Sequence, residues 1–502
     1  MANETENRRQ RLTSNYVLVV HAVTTTSVNL WVGALEPSIA KPHNWRLVLR
    51  QANQGFSQES ADEADDPALD VAKIEHLKED GDVWKRPFDK LNKRFYCTET
   101  FTDLTPGQDY TVAFEARNQG QWVQLEIAFF STLPVGLPDA TSKPFTVGVG
   151  SCFYTKHDGG RAGSAYEALF KDEDLRPDIT FLAGDQVYVD IGLGLYPLNE
   201  EDCQDRIADH YAESWALLRS VLRRGGTWML PDDHEYWNNY PYLQGFNPYL
   251  VTLDLSDNFK NHWERAAKTG VEVIQQVQTM RTFMLGQDLA FCLADLRSER
   301  FDDGFVSEAA FVQLIDWVKG LTTPGVLVIP QPLIADKGNE KDANLPDWQQ
   351  YNQLLIAIQN GAHDIVVLTG DVHYGRVAQV HIGNSTNKLV EVITSPMSNL
   401  SELNGVAAST PKQPRKKFPF VNVPEVSKNK VTYLGKVSTE QKWWDLRFPV
   451  RRTTEHFMTV AFHRDAEGVV MQIRAWEARN IVKKTGLPKP VRGFNIPPIR
   501  LN

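Results

Sequence analysis

The sequence has few cysteines and no long apolar run. Among 502 residues there are only four cysteines: Cys97, Cys152, Cys203 and Cys292. This is too few for a disulfide framework in a chain of this length. The first 15 residues are polar and charged, and no apolar stretch of signal-peptide length follows them. No run approaches the roughly 18 to 20 apolar residues that a membrane span requires. We therefore expect a soluble cytoplasmic protein in a reducing compartment.

The chain also lacks the excess of positive charge that is typical of nucleic-acid-binding proteins. Its formal net charge is -10 at pH 7, so its long-range field repels polyanions and we expect no specific nucleic-acid binding. Bound metal cations would reverse the sign of that field locally and admit a phosphate-bearing substrate. Hydrophobic residues make up 42% of the chain, which is typical of a folded protein, and a chain this long usually forms more than one unit.

The pattern of apolar residues changes near residue 139. Before it, short β-rich runs alternate with turns, which predicts a β-sandwich; the runs are YVLVVHAV, VNLWVGAL, NWRLVLRQ, KRFYCTETF, DYTVAFEAR and WVQLEIAFFST. The segment LTPGQDYTVAFEA is similar to the late strands of fibronectin type III domains. A linker rich in proline and glycine follows at residues 133–144. We therefore expect an N-terminal β-sandwich domain at residues 1–138 and a second domain at residues 139–502.

Beyond the linker, apolar strands alternate with helical stretches, which is the pattern of an α/β domain. The strand segments are FTVGVGSC, DITFLAGD, GTWMLPDD, LAFCLADLR, GVLVIPQ and DIVVLTGD. Since α/β sheets bind ligands beyond the C-terminal ends of their strands, polar residues at those ends are the first candidates for a site. Two later runs, HFMTVAFHRD and GVVMQIRAWEA, predict a hairpin that turns at residues 466–468 and completes a second sheet.

Four of these strand ends carry groups that bind metals or protons. The clusters are Cys152 in GSCFYT; Asp185, Tyr188 and Asp190 in LAGDQVYVD; Asp232, Asp233, His234 and Glu235 in MLPDDHEYWNN; and Asp371 and His373 in VVLTGDVHYG. Each cluster alone has an ordinary explanation, because Cys152 suits a small buried hydrophobe, Asp185 a turn cap and the third cluster a surface loop. Together, at the ends of separate apolar strands, they predict a shared metal site.

The same motifs resemble a known family. GSC, GDQVYVD, DDHEYWNN and GDVH, together with ADLRSER (294–300) and TSPMSN (394–399), are similar to motifs of the PhoD-like, or alkaline phosphatase D, branch of the calcineurin-like metallophosphoesterases. The resemblance implies an α/β (α+β) fold in which a four-layer αββα sandwich follows a fibronectin-like β-sandwich. The wider superfamily has DxH, GDxxD, GNHE and GHxH at these strand ends. Here Cys152 stands in place of DxH, Asp233 in place of the Asn of GNHE, and Asp371 in place of the first His of GHxH.

The resemblance also implies two metal ions with a shared ligand. The first ion is expected on Cys152, Asp185, Tyr188 and His373, and the second on Asp185, Asp233 and Asp371. In PhoD-like enzymes the first ion is thought to be Fe³⁺ and the second Ca²⁺. The ligand types here suit that choice, since thiolate and phenolate suit iron and carboxylate oxygens suit calcium, although other divalent ions stay open.

We interpret the chain as a metal-dependent phosphoester hydrolase of the alkaline phosphatase D type, acting on a small-molecule or polymeric phosphoester. Two cations about 3.5 to 4 Å apart lower the pKa of a bridging water, and the resulting hydroxide is the expected nucleophile. His234 is the expected general acid, the alternative being a metal ligand or a residue that supports one. Arg297 and Arg300 are the candidates for contact with the phosphoryl oxygens, and Arg297 is the expected catalytic one. It and Arg300 could equally pair with Asp295 or Glu299.

Several alternatives stay open at the level of sequence. The same residues serve a phosphomonoesterase and a phosphodiesterase. A catalytically inactive metal-binding or partner-binding protein on the same scaffold is the other interpretation, although every expected ligand position is occupied. The aromatic stretch YPYLQGFNPYL (240–250) is either a lid over the substrate or a packed surface insertion. The sequence carries no signal for an oligomeric state.

Overall fold

The computed structural model describes residues 16–51, 70–78, 83–156, 158–191, 199–243, 251, 253–254, 256–338, 343–398, 415–437 and 455–502. It contains five α-helices in these ranges: α1 Arg161–Glu167, α2 Glu200–Leu222, α3 Asp257–Thr269, α4 Glu308–Lys319 and α5 Gln349–Asn360. All five follow the N-terminal β-region. None of the described helices is both long enough and apolar enough to cross a membrane.

The N-terminal region is a β-sandwich of two antiparallel sheets. Its strands are β1 Val17–Val23, β2 Val28–Ala34, β3 Trp45–Gln51, β4 Asp70–Lys78, β5 Phe95–Phe101, β6 Asp109–Asn118 and β7 Gln121–Ser131. One sheet has the order β1-β2-β5 and the other β4-β3-β6-β7. Alternate side chains of both sheets, such as Leu18, Leu30 and Phe114, share one core. The predicted sandwich and its six strands are confirmed; β4 was missed, because its sequence DVAKIEHLK is largely charged.

The C-terminal region contains two seven-stranded sheets. The first has the order β10-β9-β8-β20-β21-β22 with β23 beside β21, and the second has the order β11-β12-β13-β14-β16-β15-β19; β17 and β18 pair separately. The strands are β8 Phe145–Gly150, β9 Ile179–Ala183, β10 Gly226–Leu230, β11 Met280–Leu285, β12 Leu289–Ala294, β13 Gly325–Val328, β14 Ile365–Thr369, β15 Gly375–His381, β16 Lys388–Ile393, β17 Lys417–Phe418, β18 Asn429–Lys430, β19 Thr432–Val437, β20 His456–Asp465, β21 Gly468–Ile481, β22 Pro488–Pro490 and β23 Ile499–Leu501.

The two large sheets pack face to face, and helices cover their outer faces. Side chains from both sheets, including Val147, Phe181, Phe291 and Val366, form the central core. Helices α1, α2 and α3 share a second core with the outer face of the first sheet. Helices α4 and α5 share a third core with the outer face of the second sheet. The expected four-layer αββα sandwich is therefore confirmed.

Parallel strands occupy the middle of this sandwich. Strands β8, β9 and β10 are parallel neighbours, as are β12, β13, β14 and β16. All residues of β8, β9, β10, β12, β13 and β14 are buried, because helices or a second sheet cover both faces. This explains why their sequences are continuous apolar runs, and all six predicted strands are present. Their C-terminal ends meet at common edges, which places the polar residues that follow them close together.

The predicted C-terminal hairpin is present, but it joins the sheet that contains β8. Strands β20 and β21 are antiparallel, with the turn at residues 466–467. Strand β20 pairs with β8, so that Val460 lies opposite Val147. The prediction that the hairpin completes another sheet is wrong. Local periodicity identifies a strand but carries no information on its neighbour.

Candidate metal centre

The four predicted clusters lie at one edge of the αββα sandwich because each follows the C-terminal end of a parallel strand. Cys152 follows β8, Asp185 follows β9, Asp233 follows β10 and Asp371 follows β14. The first three strands are neighbours in one sheet, and β14 lies in the sheet packed against it. The structure therefore brings together residues that are more than 200 positions apart in the sequence.

Cys152, Asp185 and His373 form the first group of donors. One ligand atom of each lies within 4.8 Å of the others. The Cys152 Sγ is 3.4 Å from Asp185 Oδ2, and the Tyr188 hydroxyl donates to the same oxygen at 3.3 Å. Asp185 thus lies between the thiol and the phenol. All four residues of the first predicted ligand set are adjacent.

Carboxylates form the second group. Oxygens of Asp185, Asp232, Asp233 and Asp371 lie within 4.8 Å of one another. Asp185 belongs to both groups, which is the arrangement that a ligand shared by two ions requires. The three acids predicted for the second ion are all present. Asp232 adds a fourth, which sequence reasoning placed in the cluster but did not assign as a ligand.

The backbone at this centre is strained. Among non-glycine residues with positive φ are Cys152 (54°), Asp185 (57°), Asp371 (66°) and His373 (56°). Residues other than glycine rarely adopt this left-handed backbone conformation, and each residue that does so costs on the order of 1 kcal/mol or more. Strain of this kind persists where the surrounding structure imposes it, and it collects at functional sites. Here it is found at four residues that carry candidate ligand atoms.

Burial and like charges make the anionic forms of these groups costly. The pKa of Asp185 is raised well above its usual value, first by burial and then by the charge of Asp233. Burial and the charge of Asp185 likewise raise the pKa of the Cys152 thiol and of the Tyr188 phenol. Oδ2 of Asp232 is buried without a hydrogen-bond partner among the described residues. Protons or cations must therefore neutralise the cluster, and its oxygen, sulfur and nitrogen donors fit metal cations.

Glu235 holds the loops after β9 and β10 together. Its carboxylate accepts hydrogen bonds from the backbone N–H groups of Asp185, Val187 and Asp232 at 2.8 to 3.0 Å. Burial raises its pKa to about 7, although these backbone donors oppose the shift. Because both carboxylate oxygens already accept backbone hydrogen bonds, Glu235 fixes the geometry of the two loops and is not available as a metal ligand.

His234 is oriented by a buried carboxylate. Its Nδ1 lies 2.8 Å from Oδ1 of Asp190, whose Oδ2 accepts the backbone N–H of Asn238. Burial lowers the pKa of His234, but the charges of Asp190, Asp233 and Asp185 outweigh it and raise the pKa well above the usual value. The Asp190 contact favours a proton on Nδ1 and leaves Nε2 as the second ring nitrogen. Ligand atoms of Asp185, Asp233 and His234 also form a possible metal group.

Arg297 lies at the centre but pairs with Asp232, not with Asp295 or Glu299. Its Nε donates to Asp232 Oδ1 and its Nη1 donates to the Tyr240 carbonyl at 2.9 Å. Asp295 instead accepts the backbone N–H of Arg297. The guanidinium is almost fully buried, and the charges of Asp232 and Asp233 outweigh burial and raise its pKa. Arg297 is thus a fixed positive charge beside the acids.

Arg300 reaches the centre through an intermediate glutamine. Its Nη2 donates to Gln331 Oε1 at 2.8 Å, and Gln331 Nε2 donates to Asp371 Oδ2 at 3.1 Å. Arginine has no acceptor, so it fixes the amide with its oxygen toward Arg300 and its NH₂ toward Asp371. Sequence reasoning missed Gln331, although it follows the strand GVLVIPQ in the same way as the predicted residues follow theirs.

Ser395 is a second residue that sequence reasoning missed. Its hydroxyl accepts the backbone N–H of His373 at 3.0 Å and donates to Cys152 Sγ at 3.2 Å. It therefore ties two strand ends together. The motif TSPMSN that contains it was a signal of resemblance, but nothing in its residue types pointed to a contact with sulfur.

Part of the aromatic stretch after this loop is described. Tyr240 is buried, and its ring stacks on Tyr236 with the centroids 4.2 Å apart. The Trp237 indole donates to the Tyr242 carbonyl at 3.1 Å. The beginning of the stretch is therefore packed against the site loops. Residues 244–250 of the predicted lid lie outside the described residues.

Comparisons with known proteins bear on the fold. A scan against protein-family models and a search of curated proteins both find no match. A solved structure of PhoD superimposes with a TM-score of 0.54 over 97% of this chain and 92% of its own, at 16% sequence identity. The purple acid phosphatase PPD1 from yellow lupin (Lupinus luteus) seeds gives a TM-score of 0.51 over 95% of this chain and 73% of its own, at 12% identity.

These likenesses cover both the β-sandwich and the αββα region. The chain has the fold of PhoD and of a purple acid phosphatase, and the resemblance to PhoD-like metallophosphoesterases that the motifs predicted is confirmed at the level of the fold. At these identities the likeness does not extend to the reaction, which depends on the site itself.

Proposed function

We propose that this chain is a metal-dependent phosphoester hydrolase. One observation carries the proposal: thiol, phenol, imidazole and carboxylate donors from four parallel strand ends meet around Asp185. One of the two structures with the same fold, PPD1, is a phosphatase by name, and the motifs of this chain resemble the family of the other, PhoD, which supports the same class of reaction. Both monoesters and diesters of phosphate are candidate substrates.

Two ions fit the two donor groups. We assign the first to Cys152, Asp185, Tyr188 and His373, and the second to Asp185, Asp233 and Asp371. Thiolate and phenolate suit Fe³⁺ and carboxylates suit Ca²⁺. When bound, such ions supply an activated water and neutralise charge on the phosphoryl oxygens.

His234 is the general acid in this proposal. Asp190 holds Nδ1, so the imidazole presents its other nitrogen in a fixed orientation, and the charge of Asp190 acts against burial and raises the pKa of His234. A proton on that other nitrogen would pass to the leaving-group oxygen. Arg297, held by Asp232 and the Tyr240 carbonyl, would stabilise negative charge on the phosphoryl group through its fixed positive charge.

We also propose the domain division at residues 1–138 and 139–502. The sandwich has its own core, and the αββα layers have theirs. Contacts between the two regions are polar as well as apolar: Arg94 of the sandwich donates to Asp205 and Asp209 of α2. The sandwich would then be a support for α2 and not a source of catalytic groups.

Hydrolysis of p-nitrophenyl phosphate and of its bis ester, with and without exhaustive chelation, tests the proposed function. We expect turnover of at least one substrate and its loss on chelation. Cys152→Ser should lower metal content and activity, whereas Cys292→Ser, a buried thiol on β12, is the matched control and should change neither. Two bound ions without turnover would favour the inactive metal-binding protein instead, and full activity in chelated protein would contradict the proposal.

A further inference from the structure

A cavity of about 400 Å³ lies where the β-sandwich meets the edges of the two large sheets. Residues of β1, β10 and β11 line it, among them His21, Trp228 and Arg281. Its size is within the range of small-molecule sites, which often lie between domains. None of its lining residues is Asp or Glu, although the protein contains 63 acidic residues and has a net charge of -10. The cavity is therefore a locally positive place in an acidic protein.

Arg281 supplies this positive charge, and neutral groups are its contacts. Its Nε and Nη2 make hydrogen bonds of 3.4 and 3.5 Å to the Gln278 side chain and the Gln276 carbonyl. Among the described residues that line the cavity, no carboxylate is available to pair with it. Burial lowers the pKa of Arg281, and no acidic side chain of the cavity lining offsets that effect. An anion in the cavity would offset it.

A second cavity at the same junction shows the contrast. It has a volume of about 320 Å³ and is lined by both acids and bases. Its cations are already matched, because Arg176 pairs with Asp109 at 2.7 Å and Lys143 pairs with Asp178. An incoming anion would gain little there. The basic side chains of this second cavity are thus paired with acids, whereas the cavity around Arg281 contains no acid.

Aromatic rings form the wall beside Arg281. Its guanidinium lies 5.3 Å from the Trp228 ring centroid, and the Trp228 and Phe283 rings meet edge to face at 4.4 Å. Trp228 Nε1 is buried without an acceptor among the described residues, whereas a buried indole N–H usually has one. A ligand with a flat apolar group could pack against these rings. Its acceptor oxygens could contact the Arg281 guanidinium and the Trp228 N–H.

We propose that this cavity binds a small organic anion that carries a planar apolar ring, with Arg281 contacting the anionic group and Trp228 and Phe283 contacting the ring. The residues that line this cavity are different from those of the candidate metal centre. Trp228 lies on the face of β10 that packs into the core between the sheets, and the site loop begins only after this strand ends.

Isothermal titration of the full chain with naphthalene-2-sulfonate tests the proposal. We expect one saturable site per chain, with binding weakened by about tenfold or more when the ligand is the uncharged 2-naphthalenemethanol, since a charge-assisted hydrogen bond is lost. Arg281→Met should weaken the sulfonate by a similar factor, and Arg281→Lys should retain part of the affinity. Arg464→Met, at an exposed arginine paired with Asp288, is the control and should bind like the wild type.

Thermal unfolding of each variant shows whether it is folded at the temperature of titration, and Arg281→Lys serves if Arg281→Met is not. Absence of saturable binding to the wild type, or equal binding to folded Arg281→Met, would overturn the proposal. Sulfonate binding that is lost in Asp185→Asn and kept in Arg281→Met would also overturn it, because the sulfonate would then occupy the metal centre.

Discussion

Two regions of this protein contain buried carboxylates that are neutralised differently. Where the sandwich meets α2, Glu126 pairs with Arg219 and Arg223, and Glu167 pairs with Arg223 and Arg224. At the strand ends four carboxylates approach one another within 4.8 Å, and Arg297 pairs with one of them. The first region matches each acid with bases of the chain. The second places acids against acids, so protons or cations from solution must neutralise it.

The backbone also differs between these two regions, since it is regular at the interface and strained at the strand ends. The interface is built on α2, a regular helix whose N-cap Asn199 accepts the backbone N–H of Asp202. At the strand ends, four of the candidate ligands, Cys152, Asp185, Asp371 and His373, have φ between 54° and 66°. Regular structure suffices where acids and bases are paired for stability. Strained structure appears where acids are held facing each other, which is a cost that function can explain.

Asp185→Asn should have the largest effect, because Asp185 belongs to both donor groups. We expect metal content to fall for both ions and hydrolysis to fall to the background of the chelated protein. Elemental analysis and turnover of p-nitrophenyl phosphate measure the two effects. A variant that keeps both ions and wild-type turnover would show that the acids at the strand ends are a structural cluster like those at the interface.

His234→Ala should slow hydrolysis by about 10²- to 10⁴-fold, the usual contribution of a general acid. Metal content should stay at the wild-type value. The loss should be greater for phenyl phosphate than for p-nitrophenyl phosphate, because a poorer leaving group needs the proton more. His381→Ala, at an exposed histidine, is the control. Loss of metal in His234→Ala would instead assign His234 as a ligand.

Gln331→Leu should have an intermediate effect, since it removes the hydrogen bond that orients Asp371 but leaves every ligand in place. Loss of such supporting contacts typically costs about 10- to 100-fold in metal affinity or activity. We expect a loss of this size in a titration with Ca²⁺. Gln350→Leu removes another buried glutamine, one that binds the backbone of Phe305 and Val306, and should leave Ca²⁺ affinity unchanged. Equal Ca²⁺ affinity in the two variants would refute the role of Gln331.

Glu167→Gln should have the smallest effect on activity and a clear one on stability. Breaking a largely buried ion pair costs about 3 kcal/mol, because Arg224 loses the carboxylate that it contacts and Arg223 is left with Glu126. Burial raises the pKa of Glu167, but these two arginines outweigh it and lower the pKa to about 2. The stabilisation is thus present above the ordinary pKa of 4.5 and is lost as the pH falls toward 2.

Urea unfolding at pH 7 and at pH 3.5 checks this sign. The difference in unfolding free energy between wild type and Glu167→Gln should be full at pH 7 and smaller at pH 3.5. Turnover per folded molecule should equal that of the wild type. A loss of turnover in folded protein would contradict the division between an interface that stabilises and a centre that reacts.

The sequence predicted the buried strands and the proximity of the candidate donors, for a physical reason. A strand covered on both faces must be apolar throughout, so β8, β9 and β14 were visible as continuous runs. A polar residue directly after such a run marks the edge of a sheet, and parallel strands bring their edges together. Cys152, Asp185 and Asp371 followed from that rule.

Other features depend on pairing across space, which a local pattern does not encode. The placement of β20 beside β8, the pairing of Arg297 with Asp232 and the contact of Gln331 with Asp371 are of this kind. Gln331 and Ser395 are also neutral residues, common at strand ends for many reasons. Their roles follow from what they touch, and only the fold determines that.

An anomalous-scattering map from crystals of active protein tests the shared metal site. We expect two metal peaks, both within ligand distance of Asp185, one beside Cys152 and His373 and the other beside Asp233 and Asp371. A map from active crystals with no peak beside Asp185 would contradict it.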